Sequence, residues 1–519
     1  MLSSPFLLTY DIIFFVNMVN TIKSFFKRNY LYIILLLIAV FLFVTFASES
    51  SFLYRTNEWD DVHCFYTVSS ALRNGKVLYR DIYEQKGPYL YFIHMFAIAL
   101  SPGRYLGGYF LELIYGWIFA FALFKIFRLF IYNKKVCLLG TALVLVTYYI
   151  SFAFNKGDSI EEMMTPLYAV SLYWLIRMAK GIKNITWYQL FIAGLFAGLA
   201  FFSKFTLISF FAGFVIMIFV INVINHKTKR GFIDVGLFLL GLLVSALPAI
   251  IYFGSNNAFS DFYTVYIYNN IFHYSSAESS GFINRLSRMA EAWYVRFAFG
   301  YSYYLFILFG FFYIVFNKRI RKDIVFYSVL APYITLNLII VLGGVSYSYY
   351  GLPNALFAFI GVYALYDLLT HKQKSNDFVN KHQKPLQIAT ISLLTIISFV
   401  GTPNLPRMFV SKDKIMEYNM RDIILKENNP TVLNYGALDV GVYYLCDIQP
   451  TTKYFTGLNG HFEELEKEQQ RIVDDCEVMF VIARVDNLPL NIDEHYEVVY
   501  TGSLNDVGRH YKFNLYKLK

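Results

Sequence analysis

Apolar residues dominate eleven stretches of this chain, and short polar turns separate most of them. The stretches are 31–47, 105–131, 136–154, 163–176, 187–202, 205–224, 232–253, 297–316, 324–342, 352–369 and 386–400. A helix crossing the hydrocarbon core of a bilayer needs about 20 mostly apolar residues. Each stretch therefore predicts a spanning helix, the fourth and fifth being short. Residues 87–100 are also apolar but open on Gly87-Pro88 and fall short of a comfortable span. They predict a helix lying in the membrane interface.

The charges between the stretches orient the chain. With 87–100 kept in the interface, every basic turn falls on one side, in keeping with the positive-inside rule. One turn carries Lys125, Arg128, Lys134 and Lys135, and the next Arg177, Lys180 and Lys183. Then come Lys227, Lys229 and Arg230; Lys318, Arg319, Arg321 and Lys322; and finally Lys372, Lys374, Lys381 and Lys384. Residues 1–30 form a cytoplasmic N-terminus, with Met18, just ahead of Lys23, Lys27 and Arg28, as an alternative start. The membrane module is 31–401, with a large first outer loop at 48–104. Further outer segments are 155–162, an aromatic loop at 254–296, and 343–351. An extracytoplasmic soluble domain occupies 402–519. Its β-rich runs (431–435, 478–483, 496–500, 511–516) and polar helical stretch (462–473) predict a small α/β or α+β fold.

Composition sharpens this picture. The 519 residues are 57% hydrophobic and only 16% charged, whereas soluble proteins carry about 25% charged residues. The expected fold class is an α-helical polytopic membrane protein of the cell membrane. The net charge of +9 comes from the basic turns, which argues against a nucleic-acid partner. Cys64, Cys137, Cys446 and Cys476 lack metal-ligand spacing, although Cys446 and Cys476 share the terminal domain and could pair there. No phosphate-binding P-loop, HExxH or dinucleotide fingerprint is present.

The acids gather on the face opposite the basic turns. Asp60, Asp61 and Asp81 lie in the first outer loop, and Asp158, Glu161 and Glu162 in the next. A transporter more naturally carries its key charges within the spans, near the midplane. Carboxylates just outside the spans favour an enzyme at the membrane surface. A transporter or flippase of a lipid-linked saccharide is the alternative, and a non-catalytic envelope-assembly protein a third reading.

Several patches point to one family. The first loop reads Asn57-Glu58-Trp59-Asp60-Asp61, then Tyr79-Arg80-Asp81-Ile82-Tyr83-Glu84-Gln85-Lys86-Gly87-Pro88, then Tyr89-Leu90-Tyr91-Phe92. Leu111-Glu112-Leu113 opens the second span, and Gly157-Asp158-Ser159-Ile160-Glu161-Glu162 fills the second outer loop. Ser203-Lys204-Phe205-Thr206 and Gly344-Val345-Ser346-Tyr347-Ser348-Tyr349-Tyr350 follow. In order and sidedness these resemble the GT-C superfamily of membrane glycosyltransferases. The likeness is to its family-39-like branch, which includes protein mannosyltransferases and the lipid A aminoarabinose transferase. Relatives often have Lys-Pro-Pro where this chain has Lys86-Gly87-Pro88, and a His-Tyr pair where it has Tyr349-Tyr350.

The resemblance implies sugar transfer from a polyprenyl-phosphate-linked donor to an acceptor hydroxyl. The acceptor would be an envelope glycan, teichoic-type polymer, lipid or protein on the outer face. Asp60 or Asp61 is the candidate base. Lys86, Arg80 and Lys204 are candidates for the donor phosphate. Asp81, Asp158, Glu161, Glu162, Tyr349 and Tyr350 would support the acceptor or a divalent cation such as Mg or Mn. Plainer roles stand beside these. Asp60 and Asp61 suit a helix start, Lys86 suits snorkelling, Arg80 suits a local salt bridge, and Glu161 and Glu162 suit a helix dipole. Tyr263, Tyr266, Tyr268 and Tyr274 suit an interfacial belt. His63 and His94 are too isolated to predict metal ligands, and only location recommends His273, Arg285 and Arg288.

Overall fold

The computed structural model describes residues 30–272, 282–342, 347–372, 383–457, 462–506 and 509–519. Met18, Lys23, Lys27, Arg28, His273, Tyr274, Gly344, Val345, Ser346, Lys374 and Lys381 lie outside the described residues.

Each predicted span falls on a helix. These are α1 (Tyr30–Ala47), α4 (Leu106–Arg128), α5 (Lys134–Tyr149), α6 (Ile160–Ala179), α7 (Trp187–Ser203) and α8 (Ser209–Ile224). They continue with α9 (Thr228–Val244) and α10 (Leu247–Ser255), α11 (Phe282–Phe316), α12 (Ile324–Leu342), α13 (Phe359–Lys372) and α14 (Gln383–Gly401). Six helical segments among the described residues are long and apolar enough to cross a membrane: Tyr30–Ala47, Leu106–Arg128, Phe205–Ile224, Thr228–Ser255, Ser287–Phe316 and Ser348–Thr370. The chain is a multi-pass membrane protein. Within the bundle α4 packs on α6, α7 on α9, and α8 on α12.

Two helices of the first loop position the site. Helix α2 (Asp60–Arg73) begins at the acidic pair and buries most of its surface. Helix α3 (Pro88–Leu100) starts where the Gly-Pro step predicts, because proline at the first helical position needs no hydrogen-bond acceptor for its nitrogen. It packs against α2, α4 and α7.

The described parts of the aromatic stretch 254–296 are helical rather than looped. They form a short helix at Phe259–Phe262, a π-helical turn at Tyr263–Asn269, and from Phe282 the first half of α11, which kinks at Gly300. Hydropathy misses that half because Arg288, Glu291 and Arg296 interrupt the apolar run.

The terminal region is an α/β unit with a four-stranded sheet of order β1-β2-β4-β3: β1 (Val432–Tyr435), β2 (Phe480–Arg484), β3 (Tyr496–Asp506) and β4 (Arg509–Leu518). Strand β1 runs parallel to β2, with Val432 opposite Phe480, and β4 is antiparallel to both β2 and β3. Helix Glu463–Asp474 lies in the β1–β2 crossover and buries Leu465, Ile472 and Val473. All four cysteines are free, so Cys446 and Cys476 do not pair.

Candidate active site

Asp60 and Asp61 occupy the first turn of α2, after Trp59, which makes no side-chain cap. The Asp61 N–H donates to Asp60 Oδ1 at 2.9 Å. The Asp61 side chain is only 5% exposed and faces the bundle, so it is more than a solvated helix start. Its Oδ2 accepts from the Tyr349 hydroxyl at 2.8 Å, and its Oδ1 lies 3.6 Å from Lys86 Nζ. Lys86 sits between two acids, with Glu84 Oε1 at 3.5 Å. Glu84 Oε2 accepts from the Lys86 N–H at 2.8 Å and from the Tyr91 hydroxyl. Lys86 is thus fixed inside the protein rather than reaching for headgroups.

Gly87 brings a second cation alongside. Its N–H donates to Ser203 O at 2.9 Å, and any Cβ here would collide with the Phe202 carbonyl. Proline at this position, as relatives often have, would remove that donor. The next residue after Ser203 is Lys204, whose Nζ lies 2.5 Å from Glu161 Oε1 and 3.4 Å from the centre of the Tyr350 ring. Burial pushes the Lys204 ammonium down; Lys86 adds to that, while Glu161 opposes it.

The remaining acids form a separate knot. Gly157 and Asp158 both have positive φ, 86° and 59°, making a tight turn into α6 that Ser159 caps through the Glu162 N–H. The Asp158 N–H is shared by Glu112 Oε1 at 2.9 Å and Glu162 Oε2 at 3.0 Å. Asp158 Oδ2 is 3.3 Å from His94 Nε2, and Ser48 Oγ donates to Glu112 Oε2 at 2.5 Å. This knot ties α1, α3, α4 and α6 together at the edge of the site. Among the described residues no three His, Cys, Asp or Glu side chains converge as a metal-binding set.

A cavity of about 650 Å³ opens above Asp60 and Asp61. The terminal domain supplies its far wall, including Asp439, Arg484 and Tyr511. Asp439 anchors that wall to α2. Its Oδ2 accepts from Thr67 Oγ1 at 2.6 Å, its Oδ1 from the Gly441 N–H at 2.8 Å, and its carbonyl lies 3.1 Å from His63 Nδ1. Burial pushes the Asp439 carboxyl up to about 6 and the His63 imidazole down to about 4.

Residues 85–252 match the family model described as dolichyl-phosphate-mannose-protein mannosyltransferase. No curated protein matches the whole chain in sequence. The crystal structure of ArnT from Cupriavidus metallidurans in the apo state superposes with a TM-score of 0.59 at 10% identity, covering 95% of this chain and 98% of that one. The same protein bound to undecaprenyl phosphate gives 0.60 at 10% identity, with 94% and 98% covered. The fold is GT-C.

The family match begins at Gln85, so it takes in Lys86, His94, Glu112, Asp158, Glu162 and Lys204. Asp60, Asp61, Tyr349 and Tyr350 join them through the fold alone. Two sequence candidates stand apart from this cluster. Arg80 Nε pairs with its neighbour Asp81 at 2.8 Å, both partly exposed, and Arg80 Nη1 donates to Asn256 O. Tyr266 also departs from a belt role: it is buried, and its hydroxyl donates to the Phe201 carbonyl, whereas Tyr263 and Tyr268 are exposed.

The GT-C frame also holds residues that the sequence reading passed over. Glu84, in the first loop, and Tyr91, in the interfacial helix, carried no predicted role, and their meeting depends on the turn into α3. Arg296 is the larger omission. It is fully buried on α11, and among the described residues its Nε, Nη1 and Nη2 have no hydrogen-bond partner. Tyr303 and Tyr304 stand near it, and its charge is felt at Tyr350. Its position immediately before the apolar run 297–316 was the signal available.

Proposed function

We propose that the chain is an integral membrane glycosyltransferase that moves a sugar from a polyprenyl-phosphate donor to a hydroxyl of a cell-envelope acceptor on the outer face. The apposition of Asp61, on the floor of a cavity, with Lys86 and Lys204, which lie beside it without bordering that cavity, carries this reading. The mannosyltransferase family match and the shared fold with a protein that binds undecaprenyl phosphate support it. The distribution of loop charge supports an outer-face site and an extracytoplasmic terminal domain.

The chemistry divides along the cluster. Asp60 or Asp61 takes the proton of the acceptor hydroxyl. The oxygen attacks the anomeric carbon, and the bond from that carbon to the phosphate oxygen breaks. Its electron pair leaves with the lipid phosphate, where Lys86, Lys204 and Arg296 stabilise the growing charge. Arg80, committed to Asp81, is outside this set. Tyr349 and Glu84 hold Asp61 and Lys86 in place. Tyr350 and Glu161 do the same for Lys204.

The test is transfer in proteoliposomes supplied with a panel of polyprenyl-phosphate sugars. A new glycosidic bond with release of polyprenyl phosphate is expected. Movement of lipid across the bilayer without a new bond would replace this reading with the flippase.

A further inference from the structure

Charge divides sharply around Asp61. Lys86 lies beside it, Lys204 is within electrostatic reach of both, and neither lysine nor Arg296 borders the cavity. In front, the cavity is bordered by Glu58, Asp60, Asp61, Glu291 and Asp439, against Lys156 and Arg484. Both of these cations are already engaged. Lys156 is buried and donates to Glu58 O at 3.0 Å, while Arg484 forks onto Asp486 and lies over the Tyr511 ring at 4.6 Å. Of the acids, Glu58 is matched by Arg407 and Asp61 by Lys86, which leaves an excess of negative charge on the lining. His63 on the same wall adds no positive charge near neutrality, since burial holds it down to about 4.

A second anion entering this half-enclosed space would meet like charge with little solvent to screen it. A hydroxyl compound without negative charge meets no such barrier. The carboxylates and Asn155 can accept its hydroxyls, and Trp59 and Tyr349 offer ring surface to a sugar.

We propose that the acceptor is a neutral or cationic polyhydroxyl group, such as a sugar of an uncharged or amine-bearing glycan, and that phosphate-bearing acceptors are rejected at this cavity. This rests on the glycosyl-transfer reading, which makes the cavity an acceptor site.

Two measurements test it in the full-length protein in nanodiscs. The first places a thiol on the cavity wall as Leu504→Cys in a Cys476→Ser background. Cationic and anionic methanethiosulfonate reagents are compared, each rate divided by its rate with a free thiol in solution. The cationic reagent should react at least about tenfold faster, with the gap closing in high salt and on adding Glu291→Lys. Equal rates, or a faster anionic reagent, overturn the proposal. The second compares transfer to an uncharged oligosaccharide and to its phosphorylated counterpart. The neutral acceptor should have a kcat/KM higher by about tenfold or more, and preference for the phosphorylated one overturns the proposal. No transfer to either, with undecaprenyl phosphate still bound, removes the acceptor assignment. Loss of undecaprenyl phosphate binding removes the glycosyl-transfer reading beneath it.

Discussion

The Tyr349 hydroxyl donates to Asp61 across 2.8 Å, joining the turn before α13 to the first turn of α2. With Lys86 on the other oxygen, the carboxylate is held from both sides. Replacing Asp60 or Asp61 with Asn keeps the shape and removes a base. One of the two changes should lower turnover by about 10²–10⁴ while donor lipid still binds. Tyr349→Phe removes a single hydrogen bond and should cost about tenfold. Near-normal transfer by both Asn variants would show that the pair is structural.

Lys86 and Lys204 touch the donor before and during transfer in the proposed reaction. Lys86→Ala and Lys204→Ala should each weaken undecaprenyl phosphate binding as well as rate. Because the two ammonium groups repel each other, the double variant should lose less affinity than the product of the single losses. Titration of the lipid into nanodiscs checks both statements. Rate loss with unchanged lipid affinity would remove the lysines from the donor site.

Arg296 is a buried charge with no hydrogen-bond partner among the described residues and the Trp293 ring 5.9 Å away, an arrangement that costs stability unless a ligand fills it. Arg296→Met should therefore raise the thermal unfolding temperature of the lipid-free protein while weakening its affinity for undecaprenyl phosphate. Thermal scans with and without the lipid separate the two effects. A variant that melts lower and binds normally would make the arginine a structural strut.

Glu417 on the helix Met416–Ile424 gives a pH dependence with a definite sign. Burial, with Glu58 nearby, pushes its carboxyl up to about 8. Between its ordinary range and that value the folded protein holds a proton that the unfolded chain releases, so this group lowers stability as pH rises. Glu417→Gln should match the parent near pH 5 and melt higher than it at pH 8. A constant difference across that window would contradict the assignment.

Sidedness has its own test. An impermeant thiol reagent applied from outside should reach Cys476, which is partly exposed, while Cys64 and Cys446 are shielded by burial. A cysteine at Asn317, beside the basic turn Lys318–Arg321, should stay unlabelled from that side. Labelling there would invert the topology and move the site to the cytoplasmic face.

Much of the scaffold was legible because it depends on local pattern. Apolar runs predicted the helices, Gly87-Pro88 predicted the start of α3, and the β-rich runs at 431–435 and 478–483 fall within two residues of β1 and β2. The hairpin strands extend further than predicted because their tips are polar. The site was legible as types of residue on one face, but not as contacts. Asp61 meets Tyr349, and Lys86 meets Lys204, only through packing of α2 and α3 against distant turns. Arg80 and Lys86 looked alike in sequence; a neighbouring Asp81 decides their different fates. Arg296 was hidden at the border of a hydropathy window.

The three cations proposed to hold the lipid phosphate also set the rhythm of the proposed cycle. A lipid phosphodiester carries about one negative charge, whereas the monoester left after transfer approaches two near neutral pH. The same lysines and arginine that ease departure therefore grip the spent carrier more firmly than the loaded one. Clearing the carrier back into the bilayer, rather than making the glycosidic bond, then becomes the slow step, and an accumulating pool of bare polyprenyl phosphate acts as a brake on the enzyme.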